Sequence, residues 1–335
     1  MPGRDYKKVF RKFSDLRVMV IGDVMVDAYI FGKVERISPE APVPVVTVEK
    51  RMNRLGGAAN VALNLKSLGA EAVLCSVIGN DQKGIEFRQL LAAENISGEA
   101  VLASKERITT TKFRVFGNKS QMLRVDEEVT DDLSVPDQSG LLGKIIEILE
   151  TSGIHAIIFQ DYNKGVLTAE LIEQVIARAR LKNIPVAVDP KMKNFLQYKG
   201  ATLFKPNLKE LREGLSRDIN SNDIRSLEEA ASHLHQLLDI EIIMTTLSEK
   251  GVFISRLEKG GKFSRDIIPA HIRNISDVSG AGDTVISVAA LCLASGLDPS
   301  EIAALANLAG GLVCEEVGVV PVSREKLLKE AISLL

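Results

Sequence analysis

Two aspartates bracket a glycine-rich turn late in the chain. The stretch "DVSGAGDTV", residues 277–285, sets Asp277 and Asp283 on either side of Gly280-Ala281-Gly282. Small residues there let a ligand approach the backbone closely. "DTVISVAALCLASG" (283–296) then reads as a helix, and free amides at a helix start, aided by its dipole, favour an anion. Phosphate is the obvious anion, yet an acidic side chain in the same place repels it. The conflict resolves if Asp283 accepts the proton of a hydroxyl that attacks phosphorus, because phosphoryl transfer needs anion stabilisation and an oriented nucleophile together. The plainer alternative is a helix cap behind a glycine turn. A dinucleotide fingerprint fails on spacing: Val285 stands where its third glycine belongs, and the motif lies at the end of the chain. No GxxxxGK[ST] loop occurs.

Such residues need a scaffold. "RVMVIGD" (17–23), "EAVLCSVIG" (71–79), "HAIIFQD" (155–161), "IPVAVDP" (184–190) and "IEIIMTT" (240–246) read as strands buried on both faces, as in a parallel sheet. Helical patterns alternate with them, including 57–69 and 168–182, the latter with Thr168 as N-cap but no full capping box. The spacing therefore predicts an α/β fold, a doubly wound, mostly parallel sheet flanked by helices. Two stretches break the alternation. Residues 28–50 carry Pro39, Pro42 and Pro44, and residues 107–126 are rich in β-branched residues. Both are expected as strands outside the main sheet, forming a small β-sheet lid. The tail from Ser279 onward reads as mostly helical. One domain spanning 1–335 is expected, without repeats or linkers.

Composition narrows the function classes. A net charge of −2, no tryptophan and 4% aromatic residues offer no basic, base-stacking surface, so no nucleic-acid partner is expected. No apolar run is long enough to span a bilayer, so no membrane partner is expected either. The charged start "MPGRDYKKVFRKF" reads as a short amphipathic helix rather than a signal peptide, and a cytoplasmic location follows as an expectation. Cys75, Cys292 and Cys314 lie far apart in apolar stretches and read as buried thiols rather than a metal or redox site.

The turn also resembles the C-terminal signature D-[TS]-x-G-A-G-D of the ribokinase-like, or PfkB, carbohydrate kinases, with Val278 at its second position and Ser279 where threonine is frequent. A second signature of that family, a Gly-Gly pair with a following Asn, is matched early by Gly56, Gly57 and Asn60 in "GGAAN". The resemblance covers nearly the whole chain and implies a ribokinase-like fold and an ATP- and Mg²⁺-dependent sugar kinase. It implies Asp283 as the catalytic base and the amides of Gly280, Ala281 and Gly282 as an anion hole.

Other positions take roles by the same resemblance, each beside a blander one. Asp23 and Asp27 follow the first strand, where open α/β sheets bind ligands. They would accept sugar hydroxyls, or else sit in a solvated loop. Gly56, Gly57 and Asn60 would contact the sugar, or initiate a helix. Lys191 beside Asp189, Lys164 and Arg124 would meet a substrate phosphate, or be surface charges. Asn207 and Glu210, an N-x-x-E pair on one helix face, would organise Mg²⁺ through water, or form a helix start with Asn207 as N-cap. Thr245, Ser248 and Gly251 in "TTLSEKGV" would line the nucleotide side, with Asn307 at the adenine or on a buried-helix rim. The family's monovalent-cation (K⁺) site draws on the segment that is "EEVGVVPV" (315–322) here, which departs from the Gly-x-x-Gly-type ending.

"GDVMVDAY" (22–29), "RISPEAPVPVV" (36–46), "QDYNKGVLT" (160–168), "VDPK" (188–191) and "KPNLKEL" (205–211) are similar to the heptose 7-phosphate kinases of the lipopolysaccharide heptose pathway, the Ser-Pro-Glu-Ala-Pro-Val-Pro run most distinctively. In many bacteria that kinase is fused to a nucleotidyltransferase with an HxGH-type motif. His155, His233, His235 and His271 do not form one, so the kinase part alone is expected. Two alternatives stand beside this reading. One is a related kinase for another sugar or sugar phosphate. The other is a sugar-binding regulator without chemistry. A homodimer paired through the lid is expected, because an exposed lid edge is a liability in a monomer.

Overall fold

The structure, a computed structural model, describes residues 4–258 and 263–335. In chain order the strands are β1 (Arg17–Gly22), β2 (Val24–Ile37), β3 (Pro44–Gly57), β4 (Glu71–Gly79), β5 (Val101–Ser104), β6 (Thr111–Gly117), β7 (Ser120–Glu127), β8 (Ala156–Gln160), β9 (Val186–Asp189), β10 (Leu203–Phe204), β11 (Ile242–Thr246), β12 (Val252–Leu257) and β13 (Phe263–Ile268). The helices are α1 (Tyr6–Phe13), α2 (Ala58–Ser67), α3 (Gln82–Ala93), α4 (Val135–Thr151), α5 (Ala169–Leu181), α6 (Leu208–Leu215), α7 (Ile224–Leu238), α8 (Ala281–Ala294), α9 (Pro299–Val313) and α10 (Arg324–Leu334).

Strand β1 shows why the apolar runs lack polar alternation. Val18 and Val20 enter one apolar cluster, Met19 and Ile21 the other, and all four are buried. The first cluster gathers α1, α2, α8, α9 and α10 on one face of the sheet. The second gathers α4, α5 and α7 on the opposite face. Burial on both faces contributes roughly 1.5–3 kcal/mol for each large apolar side chain. The sheet order is β13-β12-β11-β10-β9-β8-β1-β4-β5. Neighbours from β5 to β11 are parallel, whereas β12 and β13 add an antiparallel edge. The mostly parallel, doubly wound sheet expected from the sequence is present. The edge hairpin, the two-residue β10 and the short β5 were not anticipated.

A second sheet, ordered β3-β2-β6-β7, stands beside the first. Its first strand starts at Val24, only one residue beyond β1, because Val24, Met25, Val26 and Ala28 are still buried against the body. Strand β3 runs to Gly57, directly ahead of α2. The small sheet is therefore wider at its base than residues 28–50 alone. Helix α5 begins as anticipated, with Thr168 Oγ1 accepting from the Leu171 amide at 3.2 Å. The three cysteines are free and buried. Among the described residues no helix is long and apolar enough to cross a membrane.

Candidate active site

The chain places β4 on one side of β1 and later returns to place β8 on the other. Between β1 and β8 the winding reverses, and the crevice beyond the strand ends at such a point is where open α/β sheets hold ligands. Asp23 follows β1 there, Gln160 ends β8 and Asp189 ends β9. Helix α8 adds Asp283 from its first turn. Its next residues, Val285 to Cys292, are buried throughout, so the helix runs through the interior and carries Asp283 in with it.

Asp283 is 4% exposed and surrounded by donors. Asn60 Nδ2 donates to Oδ2 at 2.7 Å. Gln160 Nε2 and the Tyr162 hydroxyl donate to Oδ1 at 3.1 and 2.7 Å. Burial raises its pKa to about 6, against the pull of the Asn60 and Tyr162 bonds. Gln160 Nε2 also reaches Asp189 Oδ2 at 3.2 Å. With their NH₂ groups committed to carboxylates, the carbonyls of Asn60 and Gln160 remain buried without a partner. A buried acceptor in that state is costly unless a donor arrives, and a sugar hydroxyl is such a donor. The structure thus brings Asn60, Asp189 and Asp283 together as expected neighbours.

The turn ahead of α8 is tied from outside. Asp277 Oδ1 accepts from the Ser279 amide at 2.9 Å and Oδ2 from the Gly318 amide at 3.0 Å. One bracketing aspartate therefore builds the turn and the other faces the cleft. Gly280 has φ 80°, and a Cβ there would lie 3.1 Å from Asn60 Nδ2, so glycine serves both the left-handed backbone and the approach of Asn60. The Ala281 amide donates to Val278 O at 3.3 Å, whereas Gly280 and Gly282, the other residues of the expected anion hole, donate to no backbone carbonyl. A Cβ on Gly282 would lie 3.6 Å from Asp189 Oδ2 and 3.8 Å from Lys205 Nζ. Lys205, buried and paired with Asp189 at 3.1 Å, is thus a cation beside the helix start.

Several expected sugar ligands have other partners. Asp23 accepts the amides of Tyr162, Lys164 and Val166 at 2.8, 3.0 and 3.0 Å, so its carboxylate anchors the 162–166 loop. Burial and the nearby Asp161 raise its pKa to about 6, despite those amides. Asp27 pairs with Arg114 of β6. A Cβ on Gly56 would stand 2.2 Å from Asp27 Oδ2, so this glycine makes room for that carboxylate. Gly57 precedes α2 with φ 62°.

The expected phosphate cations are all paired with carboxylates. Lys191 bonds Glu210 and lies 5.8 Å from the Tyr162 ring centroid. Burial would lower its pKa, but Asp189 and Glu210 raise it above the ordinary lysine value. Lys164 pairs with Glu128 at 2.7 Å. Arg124 is more than half exposed on β7 and pairs with Asp126 at 3.1 Å. Its cross-strand neighbour Arg114 is joined to the buried Asp27.

Asn207 and Glu210 form a full capping box on α6: Asn207 Oδ1 accepts the Glu210 amide and Glu210 Oε2 accepts the Asn207 amide, both at 2.8 Å. The helix-start reading is the one observed. With Lys191 on its other oxygen, Glu210 fits a hydrated Mg²⁺ held through water rather than by direct ligation. Among the described residues no group of three or more His, Cys, Asp or Glu forms a metal cage. On the far side, Thr245, one residue before the end of β11, has its hydroxyl buried and unpartnered. Gly251 packs on the backbone of 268–270, and Asn307 Nδ2 donates to Pro269 O at 2.9 Å. Ser248 is exposed in the same turn. Gly251 and Asn307 thus meet at 268–270, apart from the Asp283 hydrogen bonds.

Gln160, Tyr162, Lys205 and Arg114 were not singled out from the sequence. The strand-end rule points to Gln160, and Tyr162 and Lys205 lie inside quoted stretches. Arg114 carried no signal, because only β2–β6 pairing brings it to Asp27.

A buried acid at a helix start with unengaged amides, set beside unpartnered carbonyls at a winding reversal, suits a sugar phosphotransferase. Residues 15–326 match the family model described as "pfkB family carbohydrate kinase", and the chain belongs to that family. It is 38% identical over 330 residues to the bifunctional protein HldE of Geotalea uraniireducens, covering 98% of this chain and 66% of that protein. It is 40% identical over 316 residues to the bifunctional protein HldE of Syntrophotalea carbinolica, covering 94% and 63%. The chain thus spans just under two thirds of these relatives' length. The solved phosphofructokinase-2 of Escherichia coli in complex with potassium superposes with a TM-score of 0.78 at 20% identity, over 95% of this chain and 98% of that one.

Proposed function

We propose that this carbohydrate kinase transfers the γ-phosphoryl of ATP to the anomeric hydroxyl of D-glycero-D-manno-heptose 7-phosphate. The product is the 1,7-bisphosphate used in ADP-heptose and lipopolysaccharide core synthesis. The observation that carries the transfer chemistry is Asp283, buried at the start of α8 between the unpartnered carbonyls of Asn60 and Gln160. The heptose rests on the "SPEAPVP" run and on the similarity to the HldE proteins.

Asp283 takes the hydroxyl proton as the new O–P bond forms and the bond from the γ-phosphorus to the departing ADP breaks, while the carbonyls of Asn60 and Gln160 accept neighbouring hydroxyls. The free amides at the α8 start and the Lys205 ammonium receive charge on the migrating phosphoryl. Mg²⁺, when bound through water near Glu210, adds charge neutralisation to the ATP phosphates. Lys191 and Lys164 exchange their carboxylate partners for the substrate's 7-phosphate. Thr245, Ser248, Gly251 and Asn307 border the nucleotide. The small sheet acts as a lid of one kinase unit, and its closure excludes water. A cytoplasmic homodimer joined through these lids completes the reading. The potassium complex of the phosphofructokinase-2 neighbour motivates a K⁺ site near 315–322.

A panel of sugars and sugar phosphates with an ADP-release readout tests the substrate. Preference for an unphosphorylated hexose defeats the heptose assignment. Asp283→Asn tests the base, with an expected loss of ~10²–10⁴-fold in rate; near-normal turnover removes Asp283 from that role.

A further inference from the structure

The donors around Asp283 are more numerous than a base requires. A carboxylate offers about four lone-pair positions, two on each oxygen. Gln160 and Tyr162 fill both on Oδ1, and Asn60 fills one on Oδ2. One position remains, on the Oδ2 side that Asn60 shares. Tyr162 is set there by its own backbone, because its amide and those of Lys164 and Val166 grip the Asp23 carboxylate. A rigid path therefore runs from the end of β1, through the loop after β8, to the first turn of α8.

We propose that Tyr162 is a positioning residue for Asp283: its phenol closes Oδ1, so the reacting hydroxyl has a single seat on Oδ2 and water has none on the other oxygen. The inference rests on Asp283 being the base, as in the proposed reaction. The phenol also stabilises the charged carboxylate. Its own pKa is driven well above the usual tyrosine value by burial and by Asp283, so it stays a donor. The other charged groups facing this pair are Asp189 of β9, Lys205 after β10, Lys191 after β9 and Asp27 of β2. None is altered by removing one hydroxyl.

The test is the pH profile of kcat/KM, which reports the free enzyme. It is measured with heptose 7-phosphate or the best sugar phosphate of the panel. Tyr162→Phe keeps the ring and the backbone amide. Its acid limb is expected to move up by about one pH unit, the scale of a hydrogen bond to a charged group. ATP hydrolysis without sugar should become measurable. As a second perturbation, wild-type enzyme grown with 3-fluorotyrosine carries a more acidic, stronger-donating phenol at all four tyrosines. Its limb should move down, and the same labelling of Tyr162→Phe should leave the limb where that variant has it. Limbs that superimpose on the wild type in both proteins overturn the proposal, whatever happens to the rate. If Asp283→Asn is inactive and the limbs do not move, only the role of Tyr162 fails. If Asp283→Asn is active, the base assignment fails first.

Discussion

As the proposed base, Asp283 would have to be charged to act while it sits buried, and the two demands pull against each other. Burial lifts its pKa from 3.8 to about 6. A folded-state pKa raised in this way gives stability that is complete below about pH 4 and lost as pH rises through about 6. Asp283→Asn escapes that loss, and Asn60 can turn its unpartnered carbonyl toward the new amide. The melting temperature of Asp283→Asn relative to wild type should therefore climb between pH 4 and pH 8. A gap that stays constant across this range rejects the buried-charge account. Asp23 has the same sign of shift, so the variant itself should still lose some stability over that interval. Wild-type kcat/KM should rise with pH through about 6 as the base ionises. Asp283 and Asn60 were legible because their motifs are local. The use of Asp23 was not, since which groups fill its lone pairs depends on a loop more than a hundred residues away folding back onto it.

The elements sort by the same criterion. Strands β1, β4, β8, β9 and β11 were readable, because burial on both faces demands continuous apolar runs. The two residues of β10 give no periodicity, and β12 follows β11 so closely that a single turn, 247–251, conceals the hairpin. At α6 the pattern N-x-x-E was visible but had two meanings, and the capping box is the one that the geometry supplies. Asn207→Ala should then cost about 1 kcal/mol of stability, measured by urea unfolding. Asn207→Asp, which can still accept the Glu210 amide, should recover most of it. If alanine and aspartate behave alike, the cap is not what holds Asn207 in place. The capping box also fixes the carboxylate that Lys191 bonds, so Asn207→Ala should weaken sugar phosphate binding more than Asn207→Asp does, read as a rise in KM.

At the scale of the molecule, the small sheet is the part left without a covering layer. Ile37 is 70% exposed and Leu123 56%, with Val43, Val48 and Val125 also exposed. Leu123 and Val125 share one face of β7, since side chains alternate along a strand and Arg124 points the other way. The outer edges of β3 and β7 have no strand partner among the described residues. An unpaired edge beside apolar side chains invites another sheet, and a two-fold axis lets one surface cover its own copy. A single chain has a mass of 36.4 kDa. Light scattering of the wild type should return about twice that value. Placing charges at the contact, Leu123→Glu with Val125→Lys, should return the single-chain mass while thermal unfolding stays near the wild type, because neither side chain supports the core. A wild type that scatters as one chain at working concentration rejects the pairing. Because the same sheet supplies Asp27 and Arg114 to the cleft, loss of pairing should also raise KM for the sugar phosphate, coupling assembly to binding through the strands they share.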